Sequence, residues 1–228
     1  MNSSKIFIVI PAYNEETVIQ DVIREVKNSG YENIIIVDDG SPDDTFKKAS
    51  EIQGIIALRH KINRGKGAAT KTGIEAAKLL GAEIIVTMDG DGQHDPEDIS
   101  RLIAPIKSGD CDVVLGTRLK NPAGMPWHKI LQNKVGNLIT WYLFGLWVTD
   151  SQSGFRAYSK HAAEMMNTKG DRYEYDSEVI LEIYTHDLKF TEVPIKVRYT
   201  QYSMGKLHKQ GFANGIKTFY RMVWKLIH

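Results

Sequence analysis

The chain has 228 residues, of which 42% are hydrophobic and 25% charged, as is typical of a globular protein with a substantial core. Its net charge of +1 gives no reason to expect nucleic-acid binding, and the single cysteine, Cys111, excludes an intramolecular disulfide or a cysteine-based zinc site. We find neither a secretory signal nor an apolar run near the roughly 18–20 residues that span a bilayer, so we expect a cytoplasmic protein.

In chain order, strands and helices alternate. Apolar runs predict buried strands at 6–10 (ended by Pro11), 34–37, 55–58, 84–88 and 113–116. Apolar spacing and capping residues predict helices from Glu15, from Asp43, after the loop 63–67, and from Pro96 with Asp95 as N-cap. This order predicts an α/β fold with a mostly parallel sheet and helices on both faces. Ligands bind such sheets beyond the carboxyl ends of the strands, where the polar motifs of this chain lie.

The polar residues after the fourth predicted strand indicate a metal site. Asp89 and Asp91 flank Gly90, which has no Cβ and so lets a ligand or metal approach the backbone. Gln93 can add an amide oxygen. Two carboxylates and an amide oxygen suit Mg²⁺ or Mn²⁺, usually with a diphosphate as a further ligand. The alternative is that Asp-Gly-Asp-Gly forms only a polar turn.

Five motifs follow one another along the chain. They are Pro-Ala-Tyr-Asn-Glu (11–15), Val-Asp-Asp-Gly-Ser (37–41), Asp-Gly-Asp-Gly-Gln-His (89–94), Gly-Thr-Arg (116–118) and Asp-Ser-Gln-Ser-Gly-Phe-Arg (150–156). Together they resemble the inverting family 2 glycosyltransferases of GT-A fold, and most of all the dolichol-phosphate (polyprenyl-phosphate) mannose and glucose synthases. The resemblance implies a GT-A catalytic domain at 1–207, followed by a C-terminal amphipathic helix at 208–228.

The resemblance also implies a donor site. Pro11, Tyr13 and Glu15 match residues that line the nucleoside pocket, and Asp39 matches an acid that contacts base or ribose. Asp38 is expected to hold its turn. Lys66 either reaches a donor phosphate or is a solvated loop lysine. The implied donor-binding residues are Pro11, Ala12, Tyr13, Glu15, Asp39, Lys66, Asp89 and Gly90.

Asp89, Asp91 and Gln93 match the metal ligands of this family. Asp91 is therefore also a candidate catalytic residue. The second catalytic candidate is Asp150, which lies where the family places an acid; with a phosphate acceptor it would instead orient Arg156 or a sugar hydroxyl. The role of His94 is open, since it either contacts a phosphate or braces the turn.

An acceptor that is a lipid monophosphate is already mostly anionic at pH 7, so it requires cationic anchors rather than a strong base. Arg118 and Arg156 are the candidate anchors because guanidinium groups bind phosphate oxygens in pairs. The alternative for both is a structural ion pair with Asp150 or Asp110. Ser203 and Lys206 lie on a loop that resembles the acceptor-side loop of the synthases and would approach the acceptor phosphate.

Two further segments bear on location and chemistry. Residues 127–148 form an aromatic helical pattern that is either lipid-facing or part of the core. The basic amphipathic helix at 208–228 favours contact with a membrane surface; the alternatives are a helix docked on the sheet and the start of a longer anchor. We therefore expect a peripheral protein at the cytoplasmic membrane face. Asp176 or Glu178 either faces the site or caps the helix that follows.

The resulting prediction is a metal-dependent transferase that moves a hexose from a nucleoside-diphosphate sugar, GDP-mannose or a UDP-hexose, to a dolichyl or polyprenyl phosphate. The hexose is mannose, glucose or N-acetylglucosamine. One alternative is a saccharide acceptor, for which Asp150 or Asp176 would act as base. Others are a sugar nucleotidyltransferase, whose glycine-rich N-terminal loop is missing here, and a non-catalytic sugar-nucleotide-binding module.

Overall fold

A computed structural model describes residues 5–118, 137–138, 141–142, 146–172 and 174–198. Within them, seven strands form one sheet in the order β3-β2-β1-β4-β6-β5-β7. The strands are β1 (Ile6–Ala12), β2 (Ile34–Asp38), β3 (Ile56–Arg59), β4 (Ile84–Thr87), β5 (Val113–Thr117), β6 (Arg156–Ser159) and β7 (Phe190–Pro194). The predicted mostly parallel sheet is confirmed.

Helices cover both faces of this sheet, as the sequence predicts. They are α1 (Ile19–Asn28), α2 (Thr45–Ser50), α3 (Lys66–Leu79), α4 (Ile99–Lys107), α5 (Lys160–Met165) and α6 (Glu174–Thr185), with a 3-10 helix (Pro96–Asp98) before α4. Side chains of α1, α2 and α4 pack on one face of the sheet, against Ile8 and Ile10. Those of α3, α5 and α6 pack on the other face, against Phe7 and Val9. Because side chains alternate along a strand, β1 contributes to both cores.

The prediction that Pro11 ends the first strand is wrong. Pro11 pairs with Val37 of β2, and β1 continues to Ala12. Pairing with β4 stops at Val9, whose carbonyl accepts a hydrogen bond from the Met88 N–H. Two residues further on, Pro11 faces this same side, where its missing N–H leaves no ladder bond unmade. The strand therefore carries its backbone to the edge where the polar motifs meet.

β6 is not among the predicted strands. It lies antiparallel between β4 and β5, with Arg156 opposite Thr87 and Leu115. Since β6 runs against its neighbours, the residues before it (150–155) lie at the carboxyl ends of β4 and β5. This one reversal places the Asp-Ser-Gln-Ser-Gly-Phe-Arg motif beside the predicted metal site.

Some predicted boundaries move. The first helix begins at Ile19 rather than Glu15, and the Glu15 carbonyl accepts hydrogen bonds from the Val18 and Ile19 N–H groups. The predicted C-terminal helix and the loop with Ser203 and Lys206 lie outside the described residues, as does most of 127–148. Within the described part of the chain, none of the helices combines the length and hydropathy that crossing a bilayer requires.

We expect Gly73→Ala to destabilise the fold because α3 packs directly on β1 at this point. An added Cβ would lie 2.3 Å from Val9 Cγ1 and 3.3 Å from Val37 Cγ2, both on branched side chains in buried strands. Such overpacking costs about 1–3 kcal/mol, of which the better helix propensity of alanine recovers about 1 kcal/mol. Urea unfolding should show a lower midpoint. Glu75→Ala, on the exposed side of the same helix, should leave the midpoint almost unchanged.

Candidate active site

The carboxyl ends of β1, β2 and β4 and the segment before β6 form one edge, where most of the predicted site residues within the described chain meet. Asp39 is 2% exposed and holds the loop that leads into α3. Its carboxylate accepts hydrogen bonds from the Arg64 N–H (3.0 Å) and the Gly65 N–H (2.6 Å), and it binds His60 Nδ1 at 2.7 Å. The second ring nitrogen of His60 lies 3.0 Å from Thr72 Oγ1. Asp39 therefore fixes the wall of the predicted nucleoside pocket.

The other residues of that predicted pocket surround the end of β1. Pro11 and Ala12 are buried, and Tyr13 is 41% exposed. The Glu15 N–H donates to Thr45 Oγ1 at 2.8 Å, which ties the loop after β1 to α2. Asp38 accepts from the Ser41 N–H and pairs with Arg59, so the prediction that it holds its turn is confirmed.

Lys66 is the first residue of α3 and not a loop residue. Gly65 before it has φ +112°, a conformation that side chains with a Cβ rarely adopt, and this turn directs Lys66 toward the end of β4. Its Nζ lies 2.7 Å from Asp89 Oδ1 and 3.6 Å from Asp176 Oδ2. The interpretation of Lys66 as a solvated loop lysine is therefore wrong.

Charge pairing sets the protonation of these groups. Burial alone would lower the pKa of Lys66, but the charges of Asp176 and Asp89 outweigh it and raise that pKa. Burial alone would raise the pKa of Asp89, yet the charge of Lys66 lowers it to about 2. For Asp91, burial raises the pKa, and the negative charge of Asp89 raises it further. Asp89 and Asp91 thus place two carboxylates close together, and the ammonium group of Lys66 lies against Asp89.

This region fits a divalent cation. The Lys66 ammonium already pairs with Asp89. Burial and the charge of Asp89 both raise the pKa of Asp91, and a divalent cation beside Asp91 would offset both effects. No group of three or more acidic, histidine or cysteine side chains suited to a metal occurs in the described residues. Mg²⁺ is commonly held by one or two carboxylates, with phosphate and water as the other ligands, so an open site of this kind fits it.

Gln93 and Gly90 complete the turn around Asp91. The Gln93 amide nitrogen lies 2.8 Å from Asp91 Oδ2, and the Gln93 backbone N–H donates to Oδ1 at 3.0 Å. A Cβ on Gly90 would lie 3.1 Å from the Pro11 carbonyl. The backbone of β1 therefore approaches Gly90 closely, and this contact holds the turn of residues 89–93 against the end of the strand.

His94 lies beneath this turn and is 4% exposed. Its ring stacks on Phe155 with centroids 4.8 Å apart, and its backbone forms an antiparallel bridge with Val197. Nε2 is 3.8 Å from Asp89 Oδ2, and Nδ1 has no hydrogen-bond partner among the described residues. Of the two predicted roles, this geometry favours bracing the turn.

Burial lowers the pKa of His94 below its usual 6.5, which makes stability depend on pH. As pH falls below 6.5, the unfolded chain takes up a proton that the folded protein resists. The free energy of unfolding should therefore decrease with falling pH, by at most about 1.4 kcal/mol per pH unit. Urea unfolding in EDTA between pH 7.5 and 5.5 measures this slope. His94→Gln should flatten it, and an unchanged slope would contradict a neutral buried His94.

Arg118 and Asp150 form a two-pronged ion pair. Arg118 Nε and a terminal nitrogen lie 2.7 Å from the two Asp150 oxygens, and the Arg118 backbone N–H donates to Oδ2 at 3.0 Å. The Asp150 side chain is fully buried, whereas Arg118 is 22% exposed. The structural ion pair considered from the sequence is thus present. It orients a guanidinium that still reaches solvent at the site edge.

Arg156 is not at the surface. It is 1% exposed, and its guanidinium donates to the carbonyls of Ser153 (2.7 Å), Ser151 (2.8 Å) and Asp176 (3.0 Å). Its ion-pair partner is Asp176, at 3.6 Å, and neither Asp150 nor Asp110. This position suits a residue that shapes the site from behind better than one that touches an acceptor.

Sequence reasoning missed one contributor to this site, His60, which gives only a weak signal as a polar residue directly after β3. For Asp176 and Glu178, the sequence leaves two roles open, facing the site or capping the helix. Asp176 lies in the first turn of α6 and faces Lys66, whereas the Glu178 side chain accepts from the backbone N–H groups of Lys169 and Gly170.

Comparison with known proteins identifies the class of protein. The fold matches a solved structure of glucosyl-3-phosphoglycerate synthase from Mycobacterium tuberculosis in complex with Mn²⁺, uridine diphosphate and phosphoglyceric acid. The TM-score is 0.69 at 19% identity, over 95% of this chain and 79% of that one. The chain therefore has the GT-A fold, the fold class that the sequence predicts.

The chain belongs to Glycosyl transferase family 2, whose sequence pattern matches residues 7–166. It is 42% identical to a UDP-N-acetylglucosamine–dolichyl-phosphate N-acetylglucosaminyltransferase of Methanococcus voltae, over 98% of this chain and 96% of the relative. It is 28% identical to polyprenol monophosphomannose synthase of Mycolicibacterium smegmatis, over 89% and 80%. The predicted family and enzyme class are confirmed.

Proposed function

We propose that this protein transfers a hexose, with inversion, from a nucleoside-diphosphate sugar to a dolichyl or polyprenyl phosphate, and that the sugar donor is UDP-N-acetylglucosamine. The observation that carries the proposal is the pairing of an acidic centre, Asp89 and Asp91, with an oriented cation, Arg118, at the same edge of the sheet. The first suits a metal-bound diphosphate and the second a phosphate acceptor. The relative from Methanococcus voltae supports the choice of sugar and lipid.

On the donor side, the end of β1 and the loop fixed by Asp39 would enclose the nucleoside. Asp89 and Asp91 would hold Mg²⁺ or Mn²⁺, and Gln93 would orient Asp91 through its amide and complete the ligand set if its oxygen turns inward. A bound divalent cation supplies Lewis-acid stabilisation of the charge that grows on the leaving diphosphate. Lys66, at the start of α3, adds a cationic side chain beside Asp89 and would contact a donor phosphate.

On the acceptor side, Arg118 would bind the lipid phosphate through the exposed edge of its guanidinium group, and Asp150 would hold that guanidinium group in place. A phosphate monoester is mostly ionised at pH 7, so its oxygen can attack the sugar without loss of a proton to a strong base. Asp150, whose two oxygens are occupied by Arg118, therefore serves as a positioning residue. Arg156, Ser203 and Lys206 remain further candidates for the acceptor side, with Arg156 acting from behind the site.

A direct assay tests the function. The purified chain is incubated with dolichyl phosphate, Mn²⁺ and one donor at a time: UDP-N-acetylglucosamine, UDP-glucose or GDP-mannose. Mass spectrometry of the lipid fraction should show dolichyl phosphate carrying N-acetylglucosamine, and EDTA should abolish it. Glycolipid from GDP-mannose alone would overturn the choice of donor. Absence of glycolipid with conversion of a free saccharide would favour the saccharide-acceptor alternative.

Contact with a membrane surface is part of the proposal because the acceptor is a lipid. Four large side chains before β6 are between 46% and 83% exposed, and the rings of two of them meet edge to face at 6.0 Å. They are Leu138, Trp141, Tyr142 and Trp147. Tryptophan and tyrosine favour the boundary between lipid and water.

The double variant Trp141→Ser/Trp147→Ser is therefore expected to bind vesicles containing dolichyl phosphate about tenfold more weakly, since partial burial of two tryptophans in lipid is lost. Co-sedimentation with vesicles measures the binding. Tyr184→Ser is the matched control. It removes an exposed aromatic side chain near the C-terminal end of α6 and should bind normally. Equal binding by all three proteins would exclude this surface.

A further inference from the structure

Lys66 lies between two carboxylates that belong to different elements. Its Nζ is 2.7 Å from Asp89 Oδ1, just beyond β4, and 3.6 Å from Asp176 Oδ2, in the first turn of α6. The first distance is that of a hydrogen-bonded ion pair, and the second is too long for a hydrogen bond. The ammonium group therefore binds Asp89. A change in the side-chain rotamer of Lys66 would bring it within hydrogen-bonding distance of Asp176.

Asp176 is a carboxylate with unused hydrogen-bonding capacity. Its side chain is 5% exposed, and among the described residues its Oδ1 has no hydrogen-bond partner. Arg156 lies 3.6 Å from that oxygen but is fixed in place by three backbone carbonyls. Burying a carboxylate with an unsatisfied oxygen is unfavourable, so a charge-assisted hydrogen bond from the Lys66 ammonium to Oδ2, the oxygen 3.6 Å from Nζ, would stabilise Asp176.

Lys66 also occupies an oxygen that a divalent cation would use. A doubly charged cation on Asp89 would repel the ammonium group 2.7 Å from the same carboxylate, whereas Asp176 still attracts it. The Lys66–Asp89 pair packs directly against Gly154, where a Cβ would lie 2.6 Å from both Asp89 Oδ1 and Lys66 Nζ, so the absence of a side chain at this position is what admits the ammonium group between the two carboxylates. The chain thus provides a second partner for the cation that the metal displaces.

We propose that Lys66 is an exchangeable counter-ion, which neutralises Asp89 in the metal-free protein and moves onto Asp176 when a divalent cation binds Asp89. Asp176 is then a positioning residue that sets metal affinity through Lys66. The inference rests on the proposed function, because it takes Asp89 and Asp91 as the metal ligands. It has an unusual consequence: Asp176 strengthens metal binding only while Lys66 is present.

Titration of the full chain with Mn²⁺ and no nucleotide, with free Mn²⁺ followed by electron paramagnetic resonance, tests this exchange. Lys66→Met should lower the Kd about tenfold, because the competing cation is gone. Asp176→Asn should raise the Kd about tenfold, because Lys66 then stays on Asp89. The double variant should have the Kd of Lys66→Met alone. Lys71→Met removes a lysine of the same helix that pairs with Asp171, and should leave the Kd almost unchanged.

Three results would overturn the exchange. The first is that Lys66→Met binds Mn²⁺ no more tightly than the natural protein does. The second is that Mn²⁺ binds to neither of these two proteins. The third is that Asp176→Asn weakens binding equally with and without the Lys66→Met change, since the charge of Asp176 would then act through space alone. Lys66→Arg keeps the positive charge and should bind Mn²⁺ as weakly as the natural protein does. Thermal unfolding of this variant checks that substitution at position 66 preserves the fold. Failure of the proposed function is a separate result, the absence of glycolipid from every donor.

Discussion

Asp91→Asn is expected to reduce sugar transfer about a thousandfold while leaving the protein folded. The amide keeps the size of the side chain but removes the negative charge that a divalent cation requires. In the metal-free protein, burial and repulsion from Asp89 both disfavour the charged form of Asp91 and raise its pKa, and the neutral amide avoids both effects. The melting temperature in EDTA should therefore be equal to or higher than that of the natural protein, a combination that separates loss of chemistry from loss of fold.

Glycolipid formation at saturating Mn²⁺ measures the first effect, and thermal unfolding in EDTA measures the second. Asp110→Asn is the matched control, because Asp110 lies before β5 at the opposite edge of the sheet and contacts Ser108. It should leave both quantities almost unchanged. If Asp91→Asn kept more than half of the turnover, Asp91 would not be a metal ligand.

Arg118→Lys is expected to lower kcat/KM for the lipid phosphate about a hundredfold, with little change in KM for the sugar donor. Lysine keeps the charge but cannot make the two parallel hydrogen bonds to Asp150, so the cation loses its orientation. Asp150→Asn should produce the same kinetic defect. It should also lower the free energy of unfolding by about 2 kcal/mol, less than for a fully buried pair because Arg118 is 22% exposed.

The comparison of the two variants distinguishes the roles of Asp150. A general base would lose kcat on conversion to the amide and change the pH dependence of the rate, while Arg118→Lys would leave that dependence intact. A positioning residue would make both variants raise KM for the acceptor at an unchanged pH profile. Arg101→Lys is the control: Arg101 of α4 pairs with Asp98 at the end of the 3-10 helix, and this variant should have normal kinetics.

Local pattern was sufficient for the framework of this protein. Continuous apolar runs predict strands buried on both faces, and apolar residues at helical spacing predict the helices between them. In a mostly parallel sheet, the carboxyl ends of the strands share one edge, so motifs after β1, β2 and β4 must meet there. The presence of Asp39, Asp89 and Asp91 at that edge follows from this rule and from the motif order alone.

Local pattern was insufficient where a short segment reverses direction. Four residues, Arg156–Ser159, form an antiparallel strand only because β4 and β5 leave a gap between them. Its residues, Arg-Ala-Tyr-Ser, do not form the continuous apolar run by which the other short strands are predicted. Its insertion decides where Asp150 and Arg156 lie relative to Asp89.

The sequence by itself determined the fold class, the family and the acidic edge of the sheet. Tertiary structure alone decided which charge pairs with which: Lys66 with Asp89 and Asp176, Arg118 with Asp150, and Arg156 with backbone carbonyls deep in the core. The reason is physical. Secondary structure and strand ends follow from neighbours along the chain, whereas an ion pair between residues 32 positions apart depends on how whole elements pack.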